Sequence, residues 1–340
     1  MDSSDGPPVV CGIDLGGTST RLMVGDPAGQ VLTELRQTTP HEVTTGGLVT
    51  WLADLVTELV TGLAGPVLAA TAVGLPAAVH PATGEVRAAP NVPQLTGTAF
   101  TGALAAALPG ITTFGNDTNA ALAGELHAGA ARGHRSAVMI TIGTGLGTAV
   151  HLDGTPLTGR TGAIGEFGTL PYEDSDLEGA VSGSGMVRRA RAAGFELDDA
   201  APIFAADAPA RLRAIRDSAR AALTVMLTAV TAAYEPEIIV LGGGVAPAFA
   251  DWYGPFRRSL TAITPEPPEI TLGALGDPAG AIGSLVRAYR SLGTTVPDLR
   301  LPDLRLPDLR LPDLRPPDQK PPDQKPPDQK EDSVVSTTSA

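Results

Sequence analysis

GIDLGGTSTRLMVGD, Gly12 to Asp26, decides the fold, because its outline returns as SAVMITIGTGLGTAVHLDG, Ser136 to Gly154. Each stretch is a short apolar run, a glycine-rich turn and a second run that closes at Asp26-Pro27 or Asp153-Gly154. Apolar runs punctuated by glycine read as paired strands. The repetition predicts two related half-molecules, each presenting a backbone loop to a shared cleft. Glycine has no Cβ, so backbone N–H groups in such turns approach a phosphate closely. Gly16, Gly17 and Thr18 form one candidate phosphate loop and Gly143, Thr144 and Gly145 a second. Gly242, Gly243 and Gly244 form a third, suited to adenosine packed on bare backbone. Asp14, entering the first turn, is placed to hold Mg²⁺ through water.

Outward from these loops, strand and helix patterns alternate. Apolar spacing predicts helices over 47–63, 101–108, 120–131, 211–234 and 279–289. Strand runs cover 67–74, 111–114 and 238–241. This is an α/β pattern. Between the strand ending at Phe114 and the helix from Ala120 lies Gly115-Asn116-Asp117-Thr118-Asn119, a polar run where a site can form. Asp117 suits a helix N-cap ahead of Ala120.

Composition removes whole classes of function. The only lysines are Lys320, Lys325 and Lys330, so the folded region has none for a P-loop, a protein-kinase strand or a pyridoxal Schiff base. A net charge of −13 opposes nucleic acid and anionic membrane partners. Cys11 is the single cysteine, which rules out an intrachain disulfide and a cysteine-rich zinc site. Without a leader pattern or a long apolar span, a cytoplasmic protein with a small-molecule substrate is expected. Within the segment 296–340, the chain from Pro297 to Lys330 repeats every five residues, as PDLRL and then PDQKP. Proline at that period forbids a continuous helix or central strand, so a low-complexity, disordered tail is expected.

In order along the chain, DLGGT (Asp14–Thr18), GLPA (Gly74–Ala77), Pro90-Asn91, GNDTNAAL (Gly115–Leu122), IGTGLGT (Ile142–Thr148), GAIGEFG (Gly162–Gly168), LEGAVSG (Leu177–Gly183), LGGG and GDPAGAIGS (Gly276–Ser284) resemble the ROK family of sugar kinases. The resemblance covers nearly all of Val9 to Leu292. It implies a two-domain actin-like ATPase fold of the ribonuclease H-like type with a central cleft. The small lobe would be 9–114, completed by 283–292, and the large lobe 115–282. It implies ATP and Mg²⁺ as cofactors, Asp117 as the base that takes the proton of a sugar hydroxyl, and Asn91, Asn116, Glu166 and Glu178 as sugar contacts. A homodimer is also expected.

Departures from the family pattern bear on the sugar. Many relatives have His where this chain has Thr169, followed by a cysteine-rich zinc loop. Here Leu170 to Asp176 reads LPYEDSD, so no zinc site is expected. Glu173, Asp174 and Asp176 make that loop acidic, which suits a cationic amino sugar or simply a solvated turn. The expected reaction is phosphorylation of the 6-hydroxyl of glucose or of an amino sugar such as kanosamine, 3-amino-3-deoxyglucose. A polyphosphate-using glucokinase is the alternative, and it would need a basic groove made from arginine alone. A sugar-sensing regulator is a weaker one, since the short stretch before Asp14 holds no helix-turn-helix.

Overall fold

The computed structural model describes residues 6–63, 65–87 and 89–301, and within them two five-stranded sheets follow one plan. In the first, β1 (Pro8–Leu15), β2 (Ser19–Gly25) and β3 (Val31–Thr38) form an antiparallel meander. Beyond β1, β4 (Val67–Leu75) and β5 (Ile111–Asn116) add in parallel, giving β3-β2-β1-β4-β5. In the second, the meander is β6 (Ala137–Ile142), β7 (Leu146–Leu152) and β8 (Thr155–Leu157). A small hairpin, β9 (Pro171–Tyr172) with β10 (Ser175–Asp176), follows in the chain. Then β11 (Ile238–Gly242) and β12 (Glu269–Leu272) extend the second sheet in parallel from β6. Its order, β8-β7-β6-β11-β12, is the order of the first, which is the structural form of the repeated glycine-turn unit.

The leading strand of each meander is central and buried on both faces, as a strand covered by helices on both sides must be. Side chains alternate along β1. Val9, Cys11, Ile13 and Leu15 enter the cluster shared with α1 (Thr45–Thr61) and α2 (Ala99–Ala107). On the other face, Val10 joins the cluster that includes α3 (Asp117–Ala128) and α8 (Ala279–Ser291). Gly12 shares that face: a Cβ there would strike the backbone of Leu285, so α8 lies directly on the strand. Asp14 is the next residue of the same face and meets the start of α8 at Gly280.

α3 and α8 pack on each other, and glycine makes the approach possible, since a Cβ on Gly283 would collide with the Ala120 carbonyl. The second sheet is covered by α4 (Leu177–Val181), α5 (Gly183–Ala192), α6 (Ala210–Tyr234) and α7 (Tyr253–Leu260). α6 buries Leu212, Ile215, Ala219, Leu223, Met226, Leu227 and Val230, the stripe of an amphipathic helix. Fully buried Leu223 and Leu227 each contribute about 2 kcal/mol of apolar transfer.

Helices predicted over 47–63, 101–108, 211–234 and 279–289 fall on α1, α2, α6 and α8. α3 differs from its predicted span of 120–131. It starts at Asp117, because Asn116 caps it by accepting the Asn119 N–H at 3.1 Å, and it ends at Ala128. β3, α4, α5 and α7 are elements that the sequence patterns above do not include. Past α8, Val296, Leu299 and Leu301 pack against the cluster of α3 and α8, so the expected tail of 296–340 begins with a docked pentad. The expectation for 302–340 lies outside the described residues.

Candidate active site

Asp117 is the first residue of α3, standing where β5 delivers the chain to the helix. The capping role belongs to its neighbour Asn116, so the Asp117 carboxylate is not consumed as an N-cap. Its Oδ1 accepts the Thr118 N–H at 2.6 Å and the Thr118 hydroxyl at 3.3 Å. Burial pushes it up to about 6 against those bonds, and the charge of Glu166 adds to the rise. A carboxylate in that range is a competent proton acceptor near neutral pH.

Asp14 shares a cavity with Asp117. Its volume is about 250 Å³, and Gly16, Thr18, Ser19, Arg21, Arg36 and Asp277 complete the lining. Burial first, then the charge of Asp117, pushes Asp14 up to about 7, while Arg21 pulls it back. Arg21 is itself paired with Glu34. Arg36 reaches the Ser19 hydroxyl at 3.4 Å and Asp277 at 3.9 Å. Gly280 must be glycine, since a Cβ would enter the Asp14 carboxylate. Among the described residues no three His, Cys, Asp or Glu side chains gather as a protein-only metal cage would need. Two half-buried acids facing one cavity still leave a deficit of positive charge that a hydrated cation would fill.

The second glycine loop opens on another cavity, of about 560 Å³, lined in part by Gly143, Thr144, Gly183, Ser184, Val187 and Val245. The Gly143 carbonyl accepts the Gly183 N–H at 2.8 Å, and the Ser184 hydroxyl donates to the Thr144 carbonyl at 2.6 Å, which fixes the loop on the start of α5. Gly243 has φ 83° and a Cβ there would meet the Ile142 carbonyl, so this turn requires glycine. Of this third loop, Val245 rather than Gly242, Gly243 or Gly244 lines the cavity.

The predicted sugar contacts divide. Glu166 is close enough to raise Asp117, and Glu178 close enough to raise Glu166, so three carboxyl groups form one electrostatic set. Glu178 also accepts the Leu146 N–H at 2.9 Å and so braces the second glycine loop. Asn116 has Oδ1 spent on the cap, and its Nδ2 lies 3.4 Å from the Ala77 carbonyl, leaving one amide proton for a ligand. Asn91 packs on Gly17 of the first loop. The acidic loop after Thr169 is already partnered: Glu173 lies 3.5 Å from Arg189, and Asp176 caps α4 by accepting the Gly179 N–H at 2.7 Å. Two of its three carboxylates therefore have partners within the protein.

Sequence reasoning missed Arg21, Arg36 and Asp277, which come together only when β2, β3 and the turn before α8 converge. It also missed Arg287, whose guanidinium fills the space beside Gly115 and donates to the Phe114 carbonyl at 2.8 Å, beneath the turn that carries Asp117. The missing lysines were the available signal, since a phosphate cavity in this chain must draw its cations from arginine.

Comparison with known proteins agrees with this geometry. Residues 10–290 match the ROK family. A glucokinase of Thermotoga maritima is 28% identical over 304 residues, covering 80% of this chain and 95% of the relative. The crystal structure of a ROK hexokinase from Thermus thermophilus has a TM-score of 0.71 at 28% identity, covering 84% of this chain and 99% of that one. A ROK family glucokinase from Streptomyces griseus, solved with glucose and AMPPNP, shares the fold with a TM-score of 0.67 at 23% identity, over 83% of this chain and 99% of its own. With its two actin-like sheets, its glycine loops and the acid at the head of α3, the chain belongs to the ROK family, as a sugar kinase.

Proposed function

We propose that this chain transfers the γ-phosphoryl group of ATP to the 6-hydroxyl of a glucose-like hexose, with Asp117 as general base. The observation that carries the reading is the state of Asp117: half-buried, raised to about 6 and left free of the cap. Asp117 takes the hydroxyl proton as the oxygen attacks in line, a step in which positioning and electrostatics do most of the work. Glu166, Glu178 and the remaining Asn116 amide proton orient the sugar hydroxyls. Gly16 and Thr18, with Arg36 at the cavity wall, cradle the phosphates, and Asp14 would hold Mg²⁺ through water. When bound, Mg²⁺ supplies charge neutralisation on the transferring group. In this reading the sheets belong to lobes 9–114 and 115–282, with 283–292 returning to the first, and their closure excludes water.

Two features favour ATP over polyphosphate. The larger cavity beside the second glycine loop suits an adenosine, for which polyphosphate has no equivalent. The smaller cavity sets Arg21 and Arg36 against Asp14, Asp117 and Asp277, which is no basic groove. A coupled assay with ATP or polyphosphate as donor, run over glucose, mannose, fructose, glucosamine, kanosamine and N-acetyl amino sugars, tests the proposal. ATP with glucose should give the highest kcat/KM, with a 6-phosphate product by NMR. A higher value with polyphosphate, or with kanosamine, would replace this reading.

A further inference from the structure

The pentad Val296-Pro297-Asp298-Leu299-Arg300 is held by a groove that reads its sequence at several points. The His127 imidazole meets the Pro297 carbonyl at 3.0 Å, and burial of that imidazole favours its neutral form, which donates from Nε2. The Arg300 N–H donates to the Gly29 carbonyl at 2.8 Å, and the Arg300 carbonyl accepts the Val31 N–H at 3.2 Å, so the pentad adds as a short parallel bridge at the start of β3. Gly29, at φ 84°, leaves space for Pro297 and the Asp298 carbonyl where any side chain would collide. Leu299 and Leu301 pack on the apolar cluster of α3 and α8. Arg132 lies 3.7 Å from Asp298, an exposed pair that adds selectivity more than strength.

Every one of these features recurs down the chain. Leu301-Pro-Asp-Leu-Arg305, Leu306-Pro-Asp-Leu-Arg310 and Leu311-Pro-Asp-Leu-Arg315 repeat the docked pentad with only Val296 changed to leucine. The apolar residue that follows the pentad, Leu301 in the docked copy, is also kept by the next two, as Leu306 and Leu311. From Pro316 the repeat becomes Pro-Pro-Asp-Gln-Lys, which replaces the packing leucine by glutamine. We infer that the groove between the start of β3 and the end of α3 is a binding site for aliphatic-Pro-Asp-Leu-Arg pentads, and that the chain's own copies over 301–315 are interchangeable occupants with 296–300. A shift by one copy lengthens the loop after α8 by five residues, and loop closure penalises such a change only logarithmically. A pentad from a second chain would compete against tethered copies at far higher effective concentration, so the occupant is intramolecular.

Hydrogen exchange at the Val31 amide reads the site directly and independently of catalysis. In the full chain, Leu299→Gln alone should leave Val31 protection within about threefold of the parent, because the next copy takes its place. Leu299→Gln with Leu304→Gln, Leu309→Gln and Leu314→Gln should lower it by about tenfold or more. Added peptide LPDLRLPDLR should restore protection in that variant, and PPDQKPPDQK should not. Equal loss from the single and the fourfold change would overturn the interchangeability, and failure of the first peptide would overturn the site. Protection in the single variant that rises with protein concentration would assign the occupant to a second copy and overturn the intramolecular reading.

Discussion

α3 holds two acids with opposite fates, one half-buried at its start and one fully buried toward its end. Asp117, at the start, has one backbone partner, from its own neighbour, and is raised to about 6. Glu125, two turns on and fully buried, accepts three backbone N–H groups, from Ala130 at 2.7 Å, Leu275 at 2.9 Å and Ala274 at 3.1 Å. The same helix therefore carries one carboxylate kept hungry for a proton and one satisfied by the fold. Glu125 ties the turn at 274–275 to α3, and that turn leads on to α8. An unpaired charge in a cleft is a resource for chemistry, and a paired one is a strut.

The sharpest way to break this contrast is Asp117→Asn. Loss of the base should lower kcat by about 10³-fold or more, with ATP affinity by calorimetry largely kept. The same change should stabilise the fold near pH 7.5 by on the order of 1–3 kcal/mol, since a raised carboxylate costs stability when ionised. The folded state holds the proton more tightly, so the cost is complete above about 6 and vanishes as pH falls below the ordinary carboxylate value. Denaturant titrations at pH 4 and pH 7.5 would show that difference, and equal stabilities at both would mean that Asp117 is not strained.

Glu125→Ala should do the reverse. Leaving three buried amides without an acceptor should cost about 3 kcal/mol or more in chemical unfolding, while kcat per folded molecule stays within a few-fold. A smaller effect is expected from Gly280→Ala, whose methyl group would displace the Asp14 carboxylate and raise the KM for the nucleotide about tenfold. The smallest belongs to the acidic loop. Because Glu173 is already paired with Arg189, Glu173→Gln should change the ratio of glucose to glucosamine turnover by less than about twofold.

Much of this was legible in the residues. The glycine-turn units announced both meanders, and Asp117 stood out because polar residues between a strand and a helix have few structural reasons to cluster. The contrast within α3 was not legible. Glu125 sits among alanines and leucines in a pattern that gives no sign of its partners, which arrive from residues 274 and 275, far away in the chain. Arg21 and Arg36 look like ordinary solvent-facing charges on β2 and β3 until the strands pair and set them opposite each other. The partner of the acidic loop was hidden for the same reason, since Arg189 is supplied by α5 after the loop folds back.

The docked pentad has a consequence beyond recognition. β3 is the outer strand of the first sheet, and an outer strand offers unpaired amides and carbonyls on which another chain can polymerise. Arg300 occupies that offer at Gln30 and Val31, where β3 begins, and farther along the strand Arg36 puts charge on the rim. The start of this edge is thus stoppered by the chain's own Arg300 against pairing with another chain.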